Sequence, residues 1–170
     1  MRYFIKFSYD GSCFNGFQRQ PGMKTVQGVI EDALFQLSDC IVNLCASGRT
    51  DKGVHAIEQC AHFDLNLDVK EYNLKKYLNS FFDGEIYVSS LEKVSDNFHA
   101  RYDVKKKVYS YYINMGEFSP IFRNYVYQLC VNLDVDKIKE ASMYLLGEHD
   151  FRSFCTDEKN KDNCVRTIYS

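Results

Sequence analysis

IEQCAHFDLNL, residues 57–67, is the stretch on which the fold turns. Ala61, Phe63, Leu65 and Leu67 alternate with His62, Asp64 and Asn66. A period of two sends the two sets to opposite faces, which predicts a half-buried strand. Such a strand needs a sheet, and its flanks supply one. Upstream, YFIKFSY (3–9) is rich in β-forming residues and ends at the turn pair Asp10-Gly11, while IVNLCA (41–46) reads as a short apolar strand. Between them Val26, Val29, Ile30, Ala33, Leu34 and Leu37 recur at helical spacing, with Thr25 as the N-cap. Downstream, Leu74, Tyr77, Leu78 and Phe81 mark a second amphipathic helix, and EIYVSSLE (85–92) a fourth strand. The order β-α-β-β-α-β predicts an α+β fold: a ferredoxin-like βαββαβ subdomain over residues 1–95, with a mixed or antiparallel sheet.

A second α+β subdomain is expected over residues 96–170. KKVYSYYIN (106–114) and RNYVYQL (123–129) read as paired strands, and Tyr109, Tyr111 and Ile113 then share one face. Ile138, Ala141, Ser142 and Leu145 predict a helix over 135–146 that Gly147 closes. VRTIYS (165–170) opens a further strand, and the chain stops inside it, so this subdomain is read as incomplete.

Composition narrows the function. The 170 residues are 45% hydrophobic, enough for one good core or two small ones. A formal net charge of −2 excludes a generic polycation, so any nucleic-acid surface has to be a local patch. The seven cysteines are odd in number and contain no C-x-x-C, and no pair among the four histidines has ligand spacing, which argues against a metal site. Unpaired cysteines fit a reducing, cytoplasmic setting. MRYFIKFSYDG reads as a strand and lacks the apolar core of a secretion signal, and no apolar run is long enough to span a membrane.

Chemistry centres on SGRTDKGVHA, residues 47–56. Asp51 lies between Arg49 and Lys52, and nearby positive charge favours the ionised carboxylate. Gly48 and Gly53 bracket the cluster and let another group approach closely. From the residues alone two readings stand: a solvated turn in which Asp51 bonds local backbone, or a carboxylate held for use as nucleophile, base or ligand. Arg19, Arg101 and the run Lys105, Lys106, Lys107, interleaved with Tyr109 and Tyr111, suit RNA, whose phosphates meet cations and whose bases stack on rings. The same residues also suit a packed sheet with a lysine-protected edge.

Seven separated stretches carry a resemblance: YDGSCFNGFQRQ (9–20), TVQGVIEDAL (25–34), SGRTDKGVHA (47–56), FHARYD (98–103), KVYSYYI (107–113), LLGEHDFRSF (145–154) and VRTIYS (165–170). Together, in this order, they resemble the tRNA pseudouridine synthase A family. The resemblance implies two related α+β halves around a cleft, conversion of uridine to pseudouridine in the anticodon stem-loop of tRNA, and a homodimer for a full-length chain. No redox change or external group is needed, so no cofactor is implied. Asp51 falls on the catalytic aspartate and Tyr109 on the active-site tyrosine that stacks on the target base. Arg49 is implied to pair with Asp51 and to fill the gap that an extruded base leaves. Arg19, Arg101 and the lysines at 105–107 become phosphate contacts. The chain departs from the family pattern at Phe17, where tryptophan is usual, and in SFFDGEI (80–86), which lacks the usual proline. It also ends where the family continues through most of a second half.

Overall fold

The computed structural model describes residues 1–155 and 164–170, which form two compact units, Met1–Ser110 and Tyr111–Ser170. The first contains β1 (Arg2–Tyr9), α1 (Val26–Ser38), β2 (Cys45–Ala46), β3 (Ala56–Asp64), α2 (Glu71–Phe81) and β4 (Ile86–Val94). Its sheet has the order β2-β3-β1-β4, and every neighbouring pair is antiparallel. The α+β class expected from the hydrophobic pattern is therefore present.

β1 lies inside the sheet, and its alternation is complete: Tyr3, Ile5, Phe7 and Tyr9 are buried while Arg2, Phe4, Lys6 and Ser8 are not. Across the ladder Tyr3 pairs with Phe63 and Ile5 with Ala61, which puts these apolar side chains on one face. The helices supply Val26, Ile30, Ala33, Leu34, Leu74 and Leu78 to the same core. Each fully buried side chain of this size contributes about 1.5–3 kcal/mol. Tyr77 Oη of α2 donates to the Ala33 carbonyl of α1 at 2.9 Å, which joins the two helices. Thr25 caps α1, its Oγ1 accepting from Gly28 N at 3.2 Å.

The second sheet face is not simply polar. His62, expected on a solvated face, is only 6% exposed. The turn at 98–103 covers it: Phe98 packs edge-on against Phe4, with ring centroids 5.1 Å apart, and the His99 ring lies 4.8 Å from that of His62. Arg2 holds the turn down, donating to the Phe98 carbonyl at 2.8 Å while gripping Asp64 at 2.7 Å. Alternation reports two faces, but not what later chain lies over the second one.

Several elements are shorter than their patterns suggest: the strand read over 57–67 ends at Asp64, and of 123–129 only Tyr127–Gln128 pairs as a strand. Of the apolar run 41–46 only Cys45–Ala46 pairs as a strand, and Ile41 is 86% exposed. The helix over 135–146 is α3, Val135–Met143, and Gly147 opens the next strand. The strand expected over 106–114 is reduced to β5, Ile113–Asn114, so Tyr109 and Tyr111 do not stand on a shared strand face. Residues 104–112 are exposed and outside any strand, because β-forming side chains make a strand only where a partner backbone lies alongside.

In the second unit, β5 runs parallel to β6 (Tyr127–Gln128), and β7 (Gly147–Asp150) is antiparallel to β8 (Val165–Ile168). α3 buries none of its residues; Val135, Ile138 and Met143 are all exposed.

Candidate functional site in the first unit

The loop that carries Asp51 is built from two motifs far apart in sequence. The turn after β1 approaches it so closely that a Cβ on Gly11 would stand 2.1 Å from the Val54 carbonyl oxygen. Any side chain there would part the two segments. Phe17 N donates to the Thr50 carbonyl at 3.0 Å, and the Tyr9 hydroxyl meets Thr50 Oγ1 at 2.8 Å. Burial pushes the Tyr9 phenol above its ordinary value, so it stays a neutral hydrogen-bonding group. On the other side Ser47 N donates to the Cys60 carbonyl at 2.8 Å. The buried Gln59 accepts from Ser47 Oγ at 2.8 Å and donates to the Gly48 carbonyl at 3.0 Å.

Asp51 is exposed on this anchored loop, and among the described residues its carboxylate has no hydrogen-bond or ion-pair partner. Arg49 is exposed as well and makes no ion pair with Asp51 among the described residues. Beside the loop lies a cavity of about 310 Å³ lined by Phe17, Gln27 and residues 44–48. Arg49, Arg101 and Lys107 also line it, so three cations from separate motifs face one space. Phe17, at the position where tryptophan is usual in the family resembled, is 2% exposed, with its ring 6.2 Å from that of Tyr9.

The remaining sequence candidates are placed differently. Tyr109 is 82% exposed on the extended stretch, and Lys105 and Lys106 beside it are also exposed. Arg19 is engaged by acidic neighbours, with Nε 2.6 Å from Glu31 Oε2 and Nη2 2.7 Å from Asp32 Oδ1.

Glu31 is a residue that pattern reading passed over. It is 8% exposed, and besides Arg19 it accepts from Gln27 Nε2 at 2.8 Å and from the Leu44 amide at 3.0 Å. It thereby ties α1 to the segment leading into the loop. The signal was available: an acid on the helix stripe otherwise made of Val26, Ile30, Ala33 and Leu34 is a buried polar group that needs partners.

Cys45, His62 and His99 bring one ligand-type atom each to within 4.8 Å of one another. Their hydrogen bonds argue against ligation. His62 Nδ1 accepts from the Ala100 amide at 3.1 Å and His99 Nδ1 from the Arg101 amide at 3.3 Å. Each ring therefore carries its proton on Nε2, and His99 Nε2 donates to Cys45 Sγ at 3.7 Å. A ligating imidazole would do the reverse, donating from the nitrogen that does not bind the metal. The cluster is better suited to holding the 98–103 turn, and with it Arg101, against the sheet.

A pH dependence follows. Burial first, then the charge of Arg2, holds the His62 imidazole below its ordinary value. The unfolded chain thus takes up the proton more readily, so this contribution is complete above about pH 6.5 and is lost as pH falls below it. Urea midpoints for the first unit are expected to drop between pH 7.5 and pH 5.5, and to drop less in His62→Gln. Equal drops in the two proteins would disprove the assignment.

Comparison with known proteins gives concordant results. The family described as tRNA pseudouridine synthase matches residues 6–103 and 141–170. The tRNA pseudouridine synthase A of Oceanobacillus iheyensis is 45% identical over 165 residues, covering 95% of this chain and 65% of the relative. The tRNA pseudouridine synthase A of Bacillus licheniformis is 42% identical over 172 residues, covering 99% of this chain and 70% of the relative. That of Pseudothermotoga lettingae is 42% identical over 169 residues, covering 99% and 69%. The chain thus spans 65–70% of the length of these relatives. No helix among the described residues is long and apolar enough to cross a membrane.

Proposed function

The chain belongs to the tRNA pseudouridine synthase family, and from that premise we propose that it isomerises uridine to pseudouridine in tRNA, with Asp51 as the essential carboxylate. The observation that carries this reading is an Asp51 carboxylate without a partner among the described residues, on a loop anchored from both sides. A reactive carboxylate has to be available to substrate yet fixed in place, and those two demands are rarely met together in a solvated turn.

In the reaction the C1′–N1 bond breaks, the uracil turns, and C5 bonds to C1′. The C5 proton is then lost and N1 regains one, so the overall change is an isomerisation. Asp51 serves either by attacking sugar or base to form an adduct, or by helping remove the C2′ proton on the way to a glycal. Tyr109 stacks on the target base, and Arg49 occupies the gap left when that base is extruded. Arg101, Lys105 and Lys106 contact phosphate. Arg19 joins them only by giving up one of its carboxylates. The anticodon stem-loop is the substrate element, the full-length protein is a cytoplasmic homodimer, and the first unit is a ferredoxin-like βαββαβ subdomain, a reading supported by its strand order.

tRNA labelled with tritium at C5 of uridine tests this directly: the chain is expected to release tritium to water. A second reading is favoured by the exposed apolar side chains of α3: a catalytically inert RNA-binding fragment of the same fold. RNA binding with no release would establish that reading and overturn the first.

A further inference from the structure

Lys107 was expected, with its two lysine neighbours, at an RNA phosphate. Its geometry suggests otherwise. Nζ donates to the Ser47 carbonyl at 2.7 Å, spanning 60 positions of sequence. The same ammonium lies 2.8 Å from where a Cβ would stand on Gly48, and Cε lies at 3.6 Å. A side chain at position 48 would therefore make the end of the lysine move from this seat. From the sheet side Gln59 grips the same peptide through Ser47 Oγ and the Gly48 carbonyl. Residues 47 and 48 are thus clamped between β3 and Lys107, immediately before Arg49 and Asp51. Tyr9 and Phe17 fix Thr50 from the opposite side.

We propose that Lys107 is a positioning residue: its ammonium fixes the Ser47–Gly48 backbone and so sets where Arg49 and Asp51 stand. The contact also ties the extended stretch carrying Tyr109, which has no strand to hold it, to the loop carrying Asp51. Reaching a phosphate would cost the lysine both the carbonyl bond and its seat against Gly48. The catalytic consequence rests on the function proposed above; the structural one does not.

Two variants test it. Lys107→Met removes the ammonium. Gly48→Ala keeps the lysine and its charge but closes its seat, so it reports the contact even where Lys107→Met perturbs folding. Amide hydrogen exchange on the protein alone reads the loop. Exchange at Ser47 and Val54 is expected to quicken roughly tenfold in either variant, the loss of about one hydrogen bond, with β1 amides unchanged. The double variant should be no worse than either single one, since both act through one contact. With tRNA, kcat should fall about 10²-fold at unchanged KM, as a misplaced group does. The salt dependence of RNA binding should keep its slope, whereas loss of a phosphate contact lowers it by about 1. Unchanged loop exchange, or a lowered slope with kcat intact, would overturn the proposal. Absence of turnover by the unsubstituted chain would overturn the function proposed above, while loop exchange would still decide the role of Lys107.

Discussion

Asp51→Asn is expected to reduce tritium release from labelled tRNA by roughly 10³-fold or more, the scale lost when a positioned reactive group is removed. The substitution is almost isosteric. Asp51 is exposed, and the loop depends on its carbonyl, which accepts from Val54 N at 3.2 Å, not on its carboxylate. Stability should therefore stay within about 0.5 kcal/mol of the parent, as for other surface changes without lost contacts. RNA affinity should be retained or slightly raised, since one negative charge facing a polyanion is removed. Loss of release with intact folding and binding assigns the chemistry to this one group. Release equal to that of the parent would remove Asp51 from the reaction whatever its position.

The second large effect is on stability. Glu31→Ala is expected to cost about 3 kcal/mol in the first unit, the lower end of the range for breaking a buried charge pair. The lower end applies because the Arg19 side chain is 45% exposed and partly screened by water. The loss has three parts: the Arg19 ion pair, the Gln27 bond and the acceptor for the Leu44 amide. Glu31→Gln keeps an oxygen for Leu44 and forfeits mainly the charge, so about 1–2 kcal/mol is expected there. Urea titration reads both as a lower midpoint at unchanged slope. If Glu31→Ala lies within about 1 kcal/mol of the parent, Glu31 is not the link between α1 and the segment entering the loop. Freeing Leu44 should also loosen that segment, so some activity is expected to go with the stability.

Both outcomes depend on features of unequal visibility in the chain. The alternation in β1 and β3 and the helical spacing at Val26–Leu34 and Leu74–Leu78 are local patterns. Local patterns are legible because one burial face imposes one period on consecutive residues. Asp51 was visible as a charged residue in a glycine-bracketed loop, and the resemblance carried by the separated motifs made it the candidate. Its lack of a partner among the described residues was not visible, because the resemblance implied that Arg49 would pair with it. In the folded chain Arg49 lines the cavity with Arg101 and Lys107.

By itself, then, the sequence determined the class of the fold, the core faces of its main strands and helices and the N-cap at Thr25, and it singled out the loop proposed for chemistry. These follow from propensity, periodicity and motif, all properties of neighbouring residues. Only the tertiary structure decided which side chains are taken up by structure and which stay available. His62 is buried because a turn some 40 positions later covers it, Arg19 is occupied by acids on α1, and Lys107 is drawn to a backbone carbonyl on the far loop. Tyr109 stands outside any strand because no partner backbone lies beside it in the described residues. Hydrogen bonding and burial between distant segments have no period and no spacing, so only the folded chain reveals them.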